Sequence, residues 1–441
     1  MIQKNTQADE DVTESQQESL FDQMHPADAA DHLGNLNLED QVVAVGNLPV
    51  EDAAESIAEM DSHDRIPLMT RLAPELAADI LALMAPDDAA DTIAELDPDV
   101  RRDIFKKIKQ EDAAEIKALL MYDPDSAGGV MNTEILILDE NLTADQAIAV
   151  IRQQVEDSEI PYYAYVVDGM RHLKGVLSLR DIMVSVGGRQ LKELLVDQHL
   201  ISVPFDTDKE EVAKLIDRYN FLALPVVDYN QRILGTVTVD DVIDIIQEGA
   251  SEDMQQMVGA GGDESVDSPW LYSLKVRMPW LFINLLNSAV SAWVVHLFQG
   301  SIEQMAILAV LMPIVANQAG NTGQQSLAVM IRQLAMERFD RKKVWIAVAR
   351  EAKIGLVNGM IIGLATFVGV AVVLQKPGLA VVMAMALFFD MLLGAVAGAS
   401  IPLILKEMGR DPAQASSIFL TTLTDSMGFF VFLGMAGLML L

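Results

Sequence analysis

The segment Thr421-Thr-Leu-Thr-Asp425-Ser-Met-Gly428 lies inside the last of several long apolar stretches in this chain of 441 residues. A carboxylate within a membrane-length apolar stretch is energetically costly, because the lipid interior offers it neither water nor a counter-charge. No basic residue occurs at a matching depth that would pair with it. Asp425 is therefore expected to face a polar partner or a water-filled path, and it is the first candidate for a functional residue.

Five apolar stretches follow one another from Trp270 onward, and each has about the roughly 20 residues that a bilayer requires, or somewhat more. They are predicted at 278–298, 304–331, 352–374, 379–405 and 413–440. Basic residues are concentrated in the loop 332–353 and near Lys406 and Arg410, and the positive-inside rule places such loops in the cytoplasm. We therefore expect a multi-pass protein of the cell membrane with cytoplasmic N-terminal domains and an extracytoplasmic C-terminus.

The net charge of −33 is distributed unevenly along the chain. Residues 270–441 contain 12 basic and 8 acidic residues, whereas residues 1–269 contain 19 basic and 56 acidic residues and carry a net charge of −37. Such a surface repels nucleic acid and anionic lipid and attracts cations, divalent cations above all. The absence of cysteine excludes disulfides and thiolate metal sites. An acidic surface that serves only solubility is the alternative.

An acidic segment recurs within residues 21–131. Its copies begin at Pro26, Val50, Pro74, Pro86 and Gln110. Proline and acidic residues favour a helix N-terminus, and apolar residues follow in each copy at helical spacing. We predict a superhelical domain of short helices, preceded by a disordered tail over residues 1–20. A solenoid that only binds other proteins is the alternative.

A different pattern is duplicated in residues 132–246. Tyr163-Ala-Tyr-Val-Val-Asp168 and Lys174-Gly-Val-Leu-Ser-Leu-Arg-Asp181 correspond to Leu224-Pro-Val-Val-Asp228 and Leu234-Gly-Thr-Val-Thr-Val-Asp-Asp241. Each copy indicates two strands joined by a turn and followed by a helix that starts at a Ser/Thr-x-x-Asp cap.

This duplication resembles a pair of cystathionine β-synthase (CBS) domains. The predicted boundaries are 132–195 for the first domain, 196–246 for the second and 247–269 for a polar connector helix that follows. Such pairs often bind adenine nucleotides, and Tyr163, Arg180 and Asp181 match positions that contact adenine and ribose in relatives. The resemblance therefore implies ATP as a ligand of these residues. The alternative for Arg180 and Asp181 is helix capping and surface charge.

Polar side chains recur at helical spacing inside the apolar stretches. Asn317, Asn321 and Gln324 share one helical face in the second stretch, and Thr421 shares a face with Asp425 in the fifth. Such side chains either hold helices together or line an ion path. They offer oxygen ligands, which suit hard cations, and Mg²⁺ in particular binds through few carboxylates while keeping its waters.

The order of these segments resembles the MgtE family of magnesium channels over nearly the whole chain. The motif Tyr122-Asp-Pro-Asp-Ser-Ala-Gly-Gly-Val-Met131 and the stretches Pro313–Gln325 and Thr421–Gly428 carry the likeness. The resemblance implies a homodimer with a pore at the subunit interface, and Asp425 falls on the family's pore carboxylate. It also implies that the cytosolic domains sense Mg²⁺ and close the pore when Mg²⁺ is high.

The sensor residues that the resemblance implies are all acidic. They are Asp99 and Asp103 in the helical repeat, Asp208, Glu210, Asp241 and Asp244 in the second CBS domain, and Glu248, Glu252 and Asp253 in the connector. Asp99/Asp103 and Asp241/Asp244 are also helical neighbours, where like charges repel unless a cation binds between them. A solvated acidic helix face is the alternative for each pair.

The main prediction is a Mg²⁺-selective channel gated by cytosolic Mg²⁺. A transporter of another divalent cation such as Co²⁺, and a membrane-anchored nucleotide sensor that moves no ion, are the alternatives. An enzyme is not expected, because no nucleophile–base pair, phosphate-binding loop or catalytic metal cluster is recognisable. Membrane lipid and a second copy of the chain are the expected partners.

Overall fold

The computed structural model describes residues 24–154, 163–195, 200–266, 268–336 and 341–441. The predicted disordered tail over residues 1–20 and Arg338 of the basic loop lie outside the described residues. The chain divides into two compact units, Met1–Ile246 and Gln247–Leu441.

Eight short helices follow one another in the described part of residues 24–125. They are α1 (Pro26–Gly34), α2 (Leu38–Asn47), α3 (Val50–Ala58), α4 (Ser62–Arg71), α5 (Pro74–Leu81), α6 (Pro86–Glu95), α7 (Pro98–Phe105) and α8 (Gln110–Leu119). Each has an acidic residue in its first turn, and α1, α5, α6 and α7 begin with proline, whose fixed φ suits that position. Each helix packs against the second one along the chain, as α1 does on α3 and α6 on α8. This stacking confirms the predicted superhelix.

Two small sheets of identical topology follow. Their strands are β1 (Leu136–Asp139), β2 (Tyr163–Val167) and β3 (Leu173–Ser178) in one, and β4 (Val203–Pro204), β5 (Ala223–Val227) and β6 (Ile233–Thr238) in the other. In each sheet the first pairing is parallel and the second antiparallel. The helices are α9 (Ala144–Gln154), α10 (Leu179–Val184), α11 (Leu191–Leu194) and α12 (Lys209–Tyr219). The repeated topology agrees with the duplication seen in the sequence.

The segment between the helical domain and the first sheet packs against the second sheet's domain. The amide of Ala127 donates to the carbonyl oxygen of Thr207 at 2.6 Å, and that of Gly128 to Phe205 at 2.7 Å. The ring of Tyr122 lies against that of Phe205, with centroids 5.5 Å apart. One apolar core therefore continues from the helical domain into the second half of the CBS pair.

The helix predicted to start at the Thr238-x-x-Asp241 cap continues into the predicted connector. Helix α13 (Val239–Met257) is a continuous helix of 19 residues that starts directly after β6, so residues assigned to the second CBS domain and to the connector share it. The predicted boundary at residue 247 lies where the composition of the sequence becomes polar. A helix can continue through such a boundary, because its backbone hydrogen bonds do not depend on side-chain polarity.

The C-terminal unit contains long helices. They are α14 (Trp270–Leu297), the short α15 (Gln299–Gln304), α16 (Ile307–Met336), α17 (Arg341–Leu374), α18 (Pro377–Glu407) and α19 (Ser416–Met439). Among the described residues, four helices are long and apolar enough to cross a membrane: α14, α17, α18 and α19. Helix α16 has 30 residues, but its amide side chains lower its mean hydropathy. Several helices are longer than the predicted stretches. The length of an apolar stretch matches the hydrocarbon core of the bilayer, whereas the helix itself continues into the polar interface.

Candidate functional site

The polar face of α19 contains Asp425 and Thr421, both partly buried. The Thr421 hydroxyl donates within its own helix, 3.0 Å from the carbonyl oxygens of Ser417 and Ile418. The Thr421 hydroxyl oxygen keeps its lone pairs, and these could bind a cation. The Ser426 hydroxyl lies on the same helix and forms a hydrogen bond to another helix, so polar groups in this region also join helices.

The amide stripe of α16 is a continuous polar face. The Nδ2 atom of Asn321 donates to Oδ1 of Asn317 at 3.3 Å, and Nε2 of Gln324 donates to the Ser417 hydroxyl at 3.3 Å. The first contact shows that the residues predicted to share a face do so. The second connects α16 to α19. All three amides are exposed on the single chain, so this face is available to an ion, to water or to another copy.

Glycines hold the long helices close together. A Cβ atom on Gly394 would lie 2.5 Å from the Ala319 carbonyl oxygen of α16, and one on Gly359 would lie 2.9 Å from that of Phe388. These distances leave no room for a side chain. Helix α18 therefore packs almost backbone to backbone against both α16 and α17, as small-residue contacts do in membrane bundles.

The end of α13 contacts the start of α19. The amide of Ala415 donates to the carbonyl oxygen of Gln256 at 2.8 Å. Gly259 has a positive φ of 81° and packs against Trp280 and Ile418. The loop that follows is attached to α14 by the buried carboxylate of Glu264, which accepts a hydrogen bond from Nε of Arg277 at 3.0 Å. The connector and the helix that carries Asp425 are therefore in direct contact.

The carboxylates predicted in the helical repeat already have basic partners. On α7, Asp99 lies 2.8 Å from Arg102 and Asp103 lies 2.7 Å from Lys106. Both acidic side chains are largely exposed, and the Lys106 side chain lowers the pKa of Asp103. Exposed pairs of this kind contribute little to stability. The sensor role predicted for Asp99 and Asp103 stays a prediction.

Asp208 and Glu210 have local structural partners. Asp208 caps α12, since its Oδ1 accepts the amide of Glu210 at 2.9 Å. The Glu210 carboxylate lies 2.9 Å from Lys214 one turn later. These contacts explain the two residues as parts of a helix N-terminus. The sensor role predicted for Asp208 and Glu210 stays a prediction.

Asp241 lies in an acidic contact between the helical domain and the CBS pair. It caps the start of α13, where it accepts the Thr238 hydroxyl at 2.7 Å. The aspartates of α6, Asp87, Asp88 and Asp91, are close enough to interact electrostatically with Asp241. Sequence reasoning did not select these three residues, although the repeat Pro86-Asp-Asp-Ala-Ala-Asp contains all of them.

Burial and mutual repulsion make this contact unfavourable for negative charge. Burial raises the pKa values of Asp88, Asp91 and Asp241 to about 6, and it raises the pKa of Asp87 well above its ordinary range. Arg65 opposes the shift at Asp88 and Asp91. The donors are all carboxylate oxygens, which fit a hard divalent cation.

The remaining acidic candidates lie along α13. Asp244, Glu248 and Glu252 are exposed, and Asp253 is partly buried. Glu252 accepts a hydrogen bond from Gln256 one turn later. In the part of the chain that the structure describes, no group of three or more acidic or histidine side chains forms a ready-made metal site. Binding of a cation by these residues therefore requires a further ligand or a rearrangement.

The nucleotide candidates meet at the end of the first sheet. Tyr163 pairs with Ser178 across β2 and β3, and Arg180 and Asp181 follow at the start of α10. The Ser178 hydroxyl caps α10, accepting the amide of Asp181 at 3.1 Å and donating to its carboxylate at 2.6 Å. Asp181 therefore has the capping role foreseen as the alternative, while Arg180 is exposed.

Three family models match the chain. The MgtE intracellular N domain matches residues 24–125, the CBS domain matches residues 127–188 and 191–248, and the MgtE model, described as a divalent cation transporter, matches residues 312–435. The magnesium transporter MgtE of Enterococcus faecalis is 36% identical over 328 residues, which are 74% of this chain and 72% of that protein. The chain belongs to the MgtE family.

Other comparisons agree with membership in the MgtE family. The magnesium transporter MgtE of Bacillus subtilis is 34% identical over 329 residues, 74% of this chain and 72% of that protein. A crystal structure of the soluble part of a magnesium transporter is 33% identical, with a TM-score of 0.51, and covers 55% of this chain and 94% of that one. The resemblance inferred from the sequence and the predicted fold class are confirmed.

Proposed function

We propose that this protein transports Mg²⁺ across the cell membrane and that Asp425 binds the ion inside the helical unit. The observation that carries the proposal is a partly buried carboxylate within the apolar helix α19 of an MgtE-family chain. Relatives that this chain matches over most of their length are named as magnesium transporters. Carboxylate, amide and hydroxyl oxygens are ligands that suit Mg²⁺.

The exposed amide face of α16 supports a path shared by two subunits. Amide groups facing lipid would leave their hydrogen-bonding capacity unused, which is costly in a bilayer. A second copy of the chain would cover Asn317 and Asn321 and enclose a polar route beside Asp425. We therefore place the path at the interface of a homodimer in the membrane.

Uptake of Mg²⁺ into proteoliposomes that contain the full chain tests the transport proposal. Asp425→Ala should remove most of the uptake while the protein still inserts. Glu303→Gln, which neutralises an exposed carboxylate of α15, is the matched control and should behave as the wild type. Competition by Co²⁺ and Na⁺ measures selectivity. Undiminished uptake by Asp425→Ala would exclude this residue from the path.

The acidic contact between α6 and α13 supports regulation by cytosolic Mg²⁺. When Mg²⁺ is scarce, the aspartates of α6 and Asp241 repel one another in partly desolvated surroundings and disfavour close contact. When Mg²⁺ is abundant, it neutralises them and holds the two elements together. Helix α13 then transmits the change, since its end contacts the start of α19 through Gln256 and Ala415.

The regulatory proposal has a direct test. The double variant Asp241→Asn/Asp244→Asn should still conduct Mg²⁺ but should lose inhibition by millimolar Mg²⁺ on the cytoplasmic side. Asp28→Asn/Asp31→Asn removes the same charge from the exposed face of α1 and should keep that inhibition. If both double variants are inhibited as the wild type is, Asp241 and Asp244 do not sense Mg²⁺.

ATP is proposed as a ligand of the first CBS domain near Tyr163 and Asp181. The support is their proximity at the end of β2 and β3 together with the exposed Arg180, whose guanidinium can bind phosphate. Calorimetry should show ATP binding by the wild type and weaker binding by Tyr163→Ala. An absence of heat with and without Mg²⁺ would remove ATP from the proposal.

The cytoplasmic position of the N-terminal domains is proposed from the basic loops. The natural chain has no cysteine, so single cysteines report their own side of the membrane. Lys376→Cys, between α17 and α18, should react with an impermeant maleimide in intact cells. Arg410→Cys, between α18 and α19, should react only after lysis. The reverse pattern would invert the orientation.

A further inference from the structure

Asp390 is a carboxylate in the interior of α18 that packing does not explain. Its side chain is 1% exposed. Both carboxylate oxygens are buried and have no hydrogen-bond partner among the residues that the structure describes. A charge or even a neutral carboxyl group in that state is strongly disfavoured, and an apolar residue of similar volume would be more stable. The position therefore indicates a ligand that the carboxylate can bind.

The Asp390 carboxylate occupies the space that Gly428 of α19 leaves free by having no side chain. A Cβ atom added to Gly428 would overlap Oδ2 of Asp390 and would lie 3.1 Å from Oδ1. The carboxylate thus lies directly against the backbone of α19, in space that only glycine leaves free. Gly428 is one helical turn beyond Asp425, so the two carboxylates approach each other from neighbouring helices.

The charges of Asp390 and Asp425 are close enough to interact. Two carboxylates in apolar surroundings repel each other, and a divalent cation that contacts both compensates both charges. Mg²⁺ is commonly bound through one or two carboxylates while it keeps several waters. We propose that Asp390 is the second carboxylate of a divalent-cation site that it forms with Asp425 within one subunit, an inference that rests on the proposed transport function.

A largely apolar cavity adjoins Asp390. It has a volume of about 1030 Å³ and is lined by residues of α18, α19 and the segment around Phe298. Asp390 is the one ionisable group among its lining residues, which are otherwise apolar, glycine or, in the case of Ser301, a hydroxyl. Since both carboxylate oxygens of Asp390 are buried, an ion from this cavity reaches them only after a side-chain movement.

The first test compares transport with stability in the full chain. Asp390→Asn keeps the shape and removes the charge. It should raise the Mg²⁺ concentration for half-maximal uptake roughly tenfold or more, since loss of even an outer-shell partner of a metal ligand typically costs about 10–100-fold in affinity. Its melting temperature in detergent should stay the same or rise, because an uncompensated buried charge is gone. Glu303→Gln should change neither quantity.

The outcomes separate this inference from the proposed function. Wild-type uptake by Asp390→Asn, with uptake abolished by Asp425→Ala, would overturn the role of Asp390 and leave the transport proposal intact. Wild-type uptake by both variants would overturn the transport proposal together with this inference. Reduced uptake by Asp390→Asn at every Mg²⁺ concentration, with an unchanged half-maximal concentration, would also overturn a role in binding.

A pair of glycine substitutions tests the geometry. Gly428→Ala places a methyl group where the Asp390 carboxylate lies, and it should raise the half-maximal Mg²⁺ concentration as Asp390→Asn does. Gly369→Ala on α17 is the control, since nothing lies within 4 Å of the added methyl group. Equal half-maximal concentrations in the two glycine variants would contradict the proposed position of the carboxylate.

A binding test needs no transport. Asp390→Cys/Asp425→Cys introduces two thiols into a chain that has none. The purified full chain should then retain one Cd²⁺ per subunit in the presence of excess Mg²⁺, because soft thiolates prefer Cd²⁺ while the carboxylates elsewhere bind Mg²⁺. Each single cysteine variant should release its Cd²⁺. Equal retention by the single and double variants would show that the two positions do not reach one ion.

Discussion

Asp241 provides a sharp test of the acidic contact between α6 and α13. Burial raises its pKa from 3.8 to about 6 in the folded protein. A carboxyl group with a raised folded-state pKa favours folding while it is protonated. Its contribution to the free energy of unfolding is therefore complete below about pH 4 and is lost as the pH rises through 6. A pKa that is raised by about two units lowers the free energy of unfolding by about 3 kcal/mol at pH 7.5.

Asp241→Asn removes this charge and keeps the shape of the side chain. The amide oxygen still accepts the Thr238 hydroxyl, but the weaker hydrogen bond costs about 1 kcal/mol. We expect the variant to be about 2 kcal/mol more stable than the wild type at pH 7.5. At pH 4 the wild-type carboxyl group is protonated when folded, and the advantage should disappear or reverse.

Urea unfolding of residues 1–258, followed by circular dichroism of the helices, measures these differences. Asp217→Asn neutralises an exposed carboxylate of α12 and, as the control, should stay within about 0.5 kcal/mol of the wild type at both pH values. Added Mg²⁺ should stabilise the wild type more than Asp241→Asn at pH 7.5. An Asp241→Asn fragment that is no more stable at pH 7.5, or equally more stable at pH 4, would refute the reasoning.

Two further predictions concern the C-terminal unit. Gly359→Ala should destabilise the full chain by about 1–3 kcal/mol, seen as a lower melting temperature in detergent, because the added methyl group meets the Phe388 carbonyl oxygen. Gly369→Ala has open space around it and should melt as the wild type does. Glu264→Gln should expose the segment 259–269 to protease, since Glu264 lies 2.6 Å from Arg277. The wild type should stay protected from protease at pH 4, because the Arg277 side chain lowers the pKa of Glu264 to about 2. Equal cleavage of the wild type and Glu264→Gln at neutral pH would contradict the role of this ion pair.

Local patterns predicted the elements of the fold well. Proline and acidic residues at the starts of α1, α5, α6 and α7 and the apolar spacing behind them specified the helices, because both effects act within a few residues. The capping pairs Ser178/Asp181 and Thr238/Asp241 formed as their spacing indicates. The unbroken course of α13 from its predicted start to Met257 was not foreseen, since nothing local ends a helix at a change of polarity.

Sequence alone determined which residue types are available: an acidic N-terminal half, apolar helices, and oxygen-bearing side chains such as Asp425 inside them. Only the tertiary structure decided which of them meet. Asp241 faces the aspartates of α6, whereas Asp99 and Asp103 pair with bases on their own helix. Likewise, the carboxylate of Asp390 lies against Gly428, 38 positions away in the chain. Helical spacing fixes neighbours within one helix, but contacts between helices depend on how glycine seams and apolar faces pack, and no short stretch of sequence contains that information.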